Sequence, residues 1–271
     1  MSLIREMTPE VCSESYIDKK KQKNLNFNQA KFIVLKSYIG KSGTARLGYL
    51  WLILEPVVGS LVFLAVLSVL RGAAEIKIVN VLIGYSVLAC FNLGFKSGLG
   101  NTFDDGGLKI ERINSETILM AKYLKLIIDV LFISSGASVA ITLLGVSPIG
   151  VLSLYLANIL VVISANSVLS LLQPLVSKFP DLNPLILNQL PLIIFFGSPI
   201  LYPLDYTSGL HYTISTYNPL VYFIEPVRYI ANDNDDIFLL HREFAVFLLI
   251  SFALTIQNYT RKFDYRRWKE S

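Results

Sequence analysis

The sequence predicts an all-α polytopic membrane protein with six transmembrane helices. Of its 271 residues, 53% are apolar and only 16% are charged, with a mean hydropathy of +0.54; a soluble domain usually carries about 25% charge. Such an apolar excess needs lipid as a second solvent. Six apolar runs approach the roughly 20 residues that cross a hydrocarbon layer. They lie at about 50–70, 78–95, 126–146, 149–172, 185–203 and 244–260.

The same composition argues against several classes of enzyme. Two cysteines, Cys12 and Cys90, and two histidines cannot build a disulfide scaffold, a cysteine-based metal site or a histidine metal cluster. No GxSxG or HExxH motif is present. Gly40–Lys41–Ser42 matches the end of a phosphate-binding loop, but the pattern requires a glycine where the chain has Leu35. We therefore predict a chain with no catalytic residues, no metal and no cofactor of its own.

The distribution of Lys and Arg predicts that both termini lie in the cytosol. Six spans with an inside N-terminus place 20 of the 24 basic residues on the cytosolic side. Residues 1–24 lack a secretory-type apolar core, so the first span is expected to act as the targeting signal. The predicted organisation is a cytosolic segment 1–48, a six-helix domain 49–260 and a basic tail 261–271.

An amphipathic helix is predicted at about 25–41. It places Phe32, Leu35 and Ile39 on one face, with lysines elsewhere, a pattern typical of helices that lie in the membrane interface. An amphipathic helix docked on protein is the alternative, and both interpretations leave the helix parallel to the membrane.

Residues 96–125 are predicted to form a cytosolic loop of mixed charge. Asp104–Asp105–Gly106–Gly107 indicates a turn or the start of a short helix at about 104–116. Such a helix suits docking to a soluble partner, and a solvated connector is the alternative.

The segment after the fifth run is apolar and aromatic, yet it contains prolines. Asn218–Pro219 and Glu225–Pro226 interrupt residues 210–230, and proline removes backbone donors that lipid cannot replace. We therefore expect two short helices that dip into the outer leaflet over about 206–230, rather than a full span. Backbone at that depth must be covered by protein or line a water-filled cavity, so the segment is expected to lie over a pathway.

Glu55 and Asp129 are ionisable residues within apolar runs. Such groups suggest function by default, and proton coupling is one possibility. Structural pairing with a neighbouring helix is the favoured interpretation. Asparagines within the spans are expected either to form interhelical hydrogen bonds or to line a pathway.

Three strings resemble the permeases of ABC-2-type exporters of bacterial polysaccharides. They are Arg46-Leu47-Gly48-Tyr49-Leu50-Trp51 with Leu54-Glu55-Pro56, then Ser198-Pro199-Ile200-Leu201-Tyr202-Pro203, then Asn218-Pro219-Leu220 with Glu225 and Arg228. Together they are similar to the O-antigen and capsular polysaccharide permeases, with teichoic acid exporters as more distant relatives. The resemblance covers about residues 28–262.

The resemblance implies a homodimer in the bacterial inner membrane with two cytosolic ABC ATPase subunits. ATP and Mg²⁺ would act in those subunits, and a lipid-linked polysaccharide would be the substrate; no nucleic acid is expected. It also implies a coupling helix toward the ATPase and a re-entrant gate. The coupling residues would be Asp104, Asp105, Lys109, Glu111 and Arg112. The gate residues would be Tyr217, Asn218, Pro219, Tyr222, Glu225 and Arg228.

Span positions and the resemblance also nominate aromatic side chains that would line a glycan channel: Trp51, Phe91, Phe95, Phe195, Phe196 and Tyr202. The alternative is a place in the lipid-facing aromatic belt. Two other functions stay open. One is an ABC-2 permease for teichoic acid, drugs or lipids, and the other is a membrane-bound glycan transferase or polymerase.

Overall fold

The computed structural model describes residues 26–38, 50–71, 77–99, 115–179 and 181–232. Within these ranges the regular structure is helical and contains no strand. The elements in chain order are α1 (26–38), α2 (Leu50–Arg71), α3 (Ile78–Gly98), α4 (Ser115–Leu143), α5 (Pro148–Ser170), α6 (Gln173–Lys178), α7 (Leu182–Phe196), a 3₁₀-helix (Leu204–Tyr206), α8 (Gly209–Tyr217) and α9 (Val221–Ala231).

Three of these helices are long and apolar enough to cross a membrane: Ile78–Gly98, Thr117–Leu143 and Pro148–Ser170. They correspond to the second, third and fourth predicted runs. The predicted start of the third run at 126 was wrong, because α4 begins at Ser115. The charges that obscured this start, including Lys125, are accommodated because Lys125 is paired and the first turns of α4 pack on α1.

The first and fifth runs also form helices. Helix α2 has 22 residues and contains the shorter apolar stretch Ile53–Ala65. Helix α7 has 15 residues and ends at Phe196, so the predicted end of the fifth run at about 203 was wrong. Pro199 has no backbone N–H and disfavours helical backbone at Ser198, which ends the helix here. The sixth run, 244–260, lies outside the described residues.

Helix α3 lies at the centre of the bundle and packs closely on α5. A Cβ added to Gly94 would lie 2.6 Å from the carbonyl oxygen of Val162, and one added to Gly98 would lie 2.6 Å from Cβ of Leu169. Glycines four residues apart allow two helix backbones to approach in a membrane. The Gly94–Gly98 pair therefore sets the distance between α3 and α5.

A buried amide joins three helices at their crossing. The Asn158 side chain of α5 donates to Ser86 Oγ of α3 and to Ser134 Oγ of α4, both at 2.9 Å. Asn166 of α5 donates to Tyr123 Oη of α4 at 3.4 Å. For these two asparagines, the predicted interhelical hydrogen bonds are present.

Helix α1 docks on α4 rather than standing apart. Ala30, Ile33 and Val34 form a buried cluster with Ala121 of α4. On the side facing away, Phe32 and Leu35 are 66% and 58% exposed. The helix thus presents one apolar face to protein, and it exposes the face that the sequence assigned to lipid. Ile39 and Lys41 lie outside the described residues.

The carboxylate of Asp129 joins α1 to α4. It accepts from Tyr38 Oη of α1 at 2.7 Å and from Lys125 Nζ, one turn away on α4, at 2.9 Å. Lys125 and Asp129 are both buried. The predicted structural pairing of Asp129 with a neighbouring helix is what the structure shows.

Candidate functional site

The site centres on Arg228, the largest fully buried side chain among the described residues. Its guanidinium donates to backbone carbonyls of two other segments. Nε and Nη2 reach the carbonyl oxygen of Asn80 in α3 at 3.2 and 2.9 Å. Nη1 reaches those of Pro199 and Tyr202 at 2.8 Å each, and Nη2 also contacts that of Ile200. We call Arg228 and these four carbonyl groups, together with Glu225, the Arg228 clamp.

Glu225 supplies the counter-charge from the same helix. Arg228 Nη1 donates to Glu225 Oε1 at 2.7 Å, and both side chains are 2% exposed. Burial raises the pKa of the Glu225 carboxyl above its usual range, and the neighbouring Arg228 guanidinium opposes that shift. Burial also lowers the pKa of Arg228, against the opposing effect of Glu225. A guanidinium stays protonated inside proteins, so Arg228 keeps its charge.

Helix α9 places this pair although it contains a proline. Pro226 was expected to interrupt the segment, and that was wrong: Pro226 lies inside Val221–Ala231. An interior proline costs helix stability, but Val221, Phe223, Ile224 and Val227 of this helix are buried in the core. Their burial offsets the lost backbone hydrogen bond.

Asn218 fastens the end of α7 to the start of α9. Its Nδ2 donates to Ser198 Oγ at 2.5 Å and to the carbonyl oxygen of Gly197 at 3.3 Å. Its Oδ1 accepts from the backbone N–H of Leu220 at 3.0 Å, a local turn that asparagine favours. Ser198 Oγ in turn donates to the carbonyl oxygen of Ile194 at 2.6 Å. The strings around 198–203 and 218–228 therefore form one hydrogen-bonded unit.

A glycine lets this unit lie against α3. A Cβ on Gly84 would collide with the carbonyl group of Ile200 and would lie 2.8 Å from Nη2 of Arg228. Only a residue without a side chain permits that approach. Gly84 is thus a positioning residue of the Arg228 clamp, although the sequence analysis did not select it.

The arrangement suits mechanical fixation better than chemistry. The guanidinium is engaged by carbonyl groups and Glu225, and across the described residues no group of three or more His, Cys, Asp or Glu could hold a metal ion. A charge-assisted hydrogen bond is roughly twice as strong as a neutral one. The clamp therefore fixes the turn at 198–203 and helix α9 to the first turn of α3.

The predicted gate residues divide into two groups. Asn218, Glu225 and Arg228 belong to the network above, and Tyr222 Oη donates to the carbonyl oxygen of Thr216 at 2.8 Å. Tyr217, in contrast, is 81% exposed, and Pro219 is exposed as well. Two short helices, α8 and α9, occupy the segment as expected; their re-entry into the membrane stays a prediction.

The predicted channel residues fall in three environments. Trp51 and Phe196 are exposed at 49% and 68%, and Phe195 and Tyr202 are half-buried. Phe91 and Phe95 lie in the core, with ring centroids 5.5 Å apart. These last two rings are buried within the chain, where a substrate could not reach them without rearrangement. A channel role for the six residues stays a prediction.

All five predicted coupling residues, from Asp104 to Arg112, lie outside the described residues. Glu55 is described and is half-buried on α2.

In comparison with known proteins, no family model and no curated protein matches this chain.

Sequence reasoning selected Glu225 and Arg228 but not the groups they hold. An arginine in an apolar segment, three residues after a glutamate, signals a buried pair. Its other partners are backbone carbonyl groups, which every residue carries, so no sequence pattern points to them.

Proposed function

We propose that this chain is the transmembrane permease subunit of an ABC transporter that exports a lipid-linked polysaccharide, either O-antigen or capsule. It would act as a homodimer in the bacterial inner membrane, with both termini cytosolic and six spans per subunit. A separate pair of cytosolic ABC subunits would hydrolyse the ATP.

One observation carries the proposal: two of the strings on which the family resemblance depends meet in a single buried network. Ser198–Pro203 and Asn218–Arg228 are joined by Asn218 through Ser198 and by Arg228 through the carbonyl groups of residues 199, 200 and 202. Strings that make one structural unit are better support for a shared architecture than strings scattered over a surface.

The apolar helices give a second, coarser support. Helices α3, α4 and α5 are long and apolar enough to cross a membrane. An exporter of long glycans needs a path through such helices, and an aromatic surface can contact sugar rings without requiring one sugar sequence. Trp51 and Phe196 are exposed in this subunit and are available to a second subunit, to lipid or to substrate.

The test is deletion of the gene in its host, with measurement of both surface polysaccharide and internal lipid-linked glycan. Loss of an exporter should remove the glycan from the surface while its lipid-linked form accumulates on the cytosolic side. Wild-type chain supplied from a plasmid should reverse both changes. A Lys36→Met variant, altered at an exposed site on α1, is the matched control and should also restore export.

The other outcomes separate the alternatives. Loss of surface glycan together with loss of the internal pool would favour a glycan transferase or polymerase. Unchanged surface glycan would contradict polysaccharide export and leave a drug or lipid as the substrate; in a host with a teichoic acid wall, loss of that polymer would favour the teichoic acid branch.

A further inference from the structure

A polar cavity adjoins the Arg228 clamp, and Asn80, Glu225 and Arg228 form part of its wall. It has a volume of about 210 Å³ and lies between the first turn of α3, the 3₁₀-helix Leu204–Tyr206 and the last turns of α9. Polar and aromatic groups make most of its wall. Lys77, Asp205 and Tyr206 of this wall are exposed, so a ligand could enter the cavity from the surface.

One side of the wall is held by a chain of side-chain amides. Lys77 Nζ donates to Asn232 Oδ1 at 3.1 Å. Asn232 Nδ2 donates to Asn80 Oδ1 at 2.9 Å and to the carbonyl oxygen of Arg228 at 2.8 Å. Because these groups are already ordered, a ligand would not need to immobilise them, and that saves conformational entropy on binding.

The formal charges that the described residues bring to the cavity wall balance. Lys77 and Arg228 are the cations in its wall, and Asp205 and Glu225 are the carboxylates. The Glu225–Arg228 pair is committed to the clamp, so Lys77 and Asp205, both exposed, are the charged groups that can turn to a ligand. A balanced wall gives no net attraction to an anion or to a cation.

The available donors and acceptors match hydroxyl groups. An ammonium group has three donors, of which Lys77 gives one to Asn232, and the carboxylate of Asp205 accepts. Among the described residues no group of three or more His, Cys, Asp or Glu could hold a metal ion, and Glu225 is committed to Arg228. The ring of Tyr206, 54% exposed, offers an apolar face beside these polar groups.

We propose that this cavity binds a neutral sugar unit, with its hydroxyl groups on Lys77 and Asp205 and its ring against Tyr206. This assignment deepens the proposed export function and, in its biological sense, rests on it. The cavity would then be a glycan subsite at the N-terminal end of α3, beside the Arg228 clamp.

The experiment measures binding to the purified full-length chain in detergent, independently of export. Saturation-transfer NMR would use four neutral probes, the methyl glycosides of galactose, mannose, rhamnose and N-acetylglucosamine. Glucuronate and glucosamine serve as the anionic and cationic comparisons. At least one neutral probe should receive saturation, and neither charged sugar should bind more tightly than the best neutral one.

Two variants locate the site. Tyr206→Ala and Asp205→Ala should each weaken binding of the neutral probe about tenfold, as the loss of one favourable contact predicts. Tyr212→Ala, a 47% exposed tyrosine on α8 away from the cavity wall, is the matched control and should bind like wild type. The substituted residues are exposed, so the melting temperature of each variant should stay near that of the wild type.

Three results would overturn the assignment: no saturation of any neutral probe, equal binding by Tyr206→Ala and Tyr212→Ala, or a clear preference for a charged sugar. Sugar binding in a chain whose deletion leaves export unchanged would refute the proposed function but keep the site. Export without sugar binding here would do the reverse.

Discussion

Replacing Arg228 by methionine should destabilise the protein more than any single change at an exposed charge. The side chain is 2% exposed and donates to Glu225 and to the carbonyl groups of Asn80, Pro199, Ile200 and Tyr202. Methionine keeps apolar volume but leaves the Glu225 carboxylate buried without its counter-charge. Breaking a buried pair in this way costs about 3–5 kcal/mol.

Two further variants separate the contribution of the charge to this loss of stability from that of the hydrogen-bond geometry. Glu225→Gln keeps an oxygen acceptor for Nη1, so it should cost less, about 1–3 kcal/mol. Arg228→Lys keeps the charge but replaces a rigid five-donor fork by three donors on one atom. Its loss of stability should lie between those of Glu225→Gln and Arg228→Met. The double variant Glu225→Gln with Arg228→Met should cost less than the sum of the single variants, because each single variant leaves one buried charge without its counter-charge and the double variant leaves none.

The assay is thermal unfolding of the detergent-purified chain, followed by loss of the monodisperse peak in size-exclusion chromatography. A loss of 3–5 kcal/mol corresponds to a fall in Tm on the order of 10 °C. Hydrogen exchange should also speed up in the turn 198–203, the segment released from α3. Lys36→Met, which removes an exposed cation, should change stability by no more than about 0.5 kcal/mol. If the Tm of Arg228→Met is as close to that of the wild type as the Tm of Lys36→Met, the Arg228 clamp does not stabilise the structure.

Three more predictions concern other parts of the chain. Gly84→Ala should lower Tm markedly because its Cβ would collide with the Ile200 carbonyl group. Gly197→Ala should cost less, because its Cβ would lie 3.2 Å from the carbonyl oxygen of Ile193; equal losses would show that the turn can move away from α3. Tyr38→Phe should cost about 1 kcal/mol by removing one hydrogen bond to Asp129, and it should increase protease cleavage near α1. Asp129→Leu should cost about 3–5 kcal/mol, because it leaves Lys125 without its counter-charge. Similar Tm values for the two variants would contradict the role of the Lys125–Asp129 pair. A cysteine that replaces the exposed Tyr217 should react with an impermeant thiol reagent added to intact cells. It should react faster than a cysteine that replaces the half-buried, hydrogen-bonded Tyr222. Labelling only after cell lysis would mean that the predicted topology is inverted.

Sequence reasoning located the long apolar helices well and their ends poorly. Composition and run length were enough for α3 and α5, since lipid requires a long uninterrupted helix. Helix α4 started earlier than expected because a lysine that the pattern counted as loop, Lys125, is neutralised by Asp129 four residues later. Helix α7 ended earlier because Pro199 acts on the residue before it, a local effect that an average over a run of residues does not detect.

The site was predictable in its charged members and unpredictable in its geometry. Glu225 and Arg228 were selected through the family resemblance, and charges are in any case rare in apolar segments. Asn80 and Gly84 could not be selected, because one contributes a carbonyl group and the other the absence of a side chain. For α1, the face with the larger side chains, Phe32 and Leu35, was identified, but the smaller Ala30 and Val34 make the contact with α4.

Both buried ion pairs of the described residues join positions on a single helix: Lys125 with Asp129, and Glu225 with Arg228. This has a consequence for biogenesis. A helix whose charges are neutralised by its own neighbours one turn away can leave the translocon without waiting for another segment to supply a counter-ion. A lone Lys or Asp at the centre of an inserting helix costs about 2.5–3.5 kcal/mol, and a local pair reduces that cost at the moment of insertion. For α4, one of the helices long and apolar enough to cross a membrane, Tyr38 can then be recruited to Asp129 later.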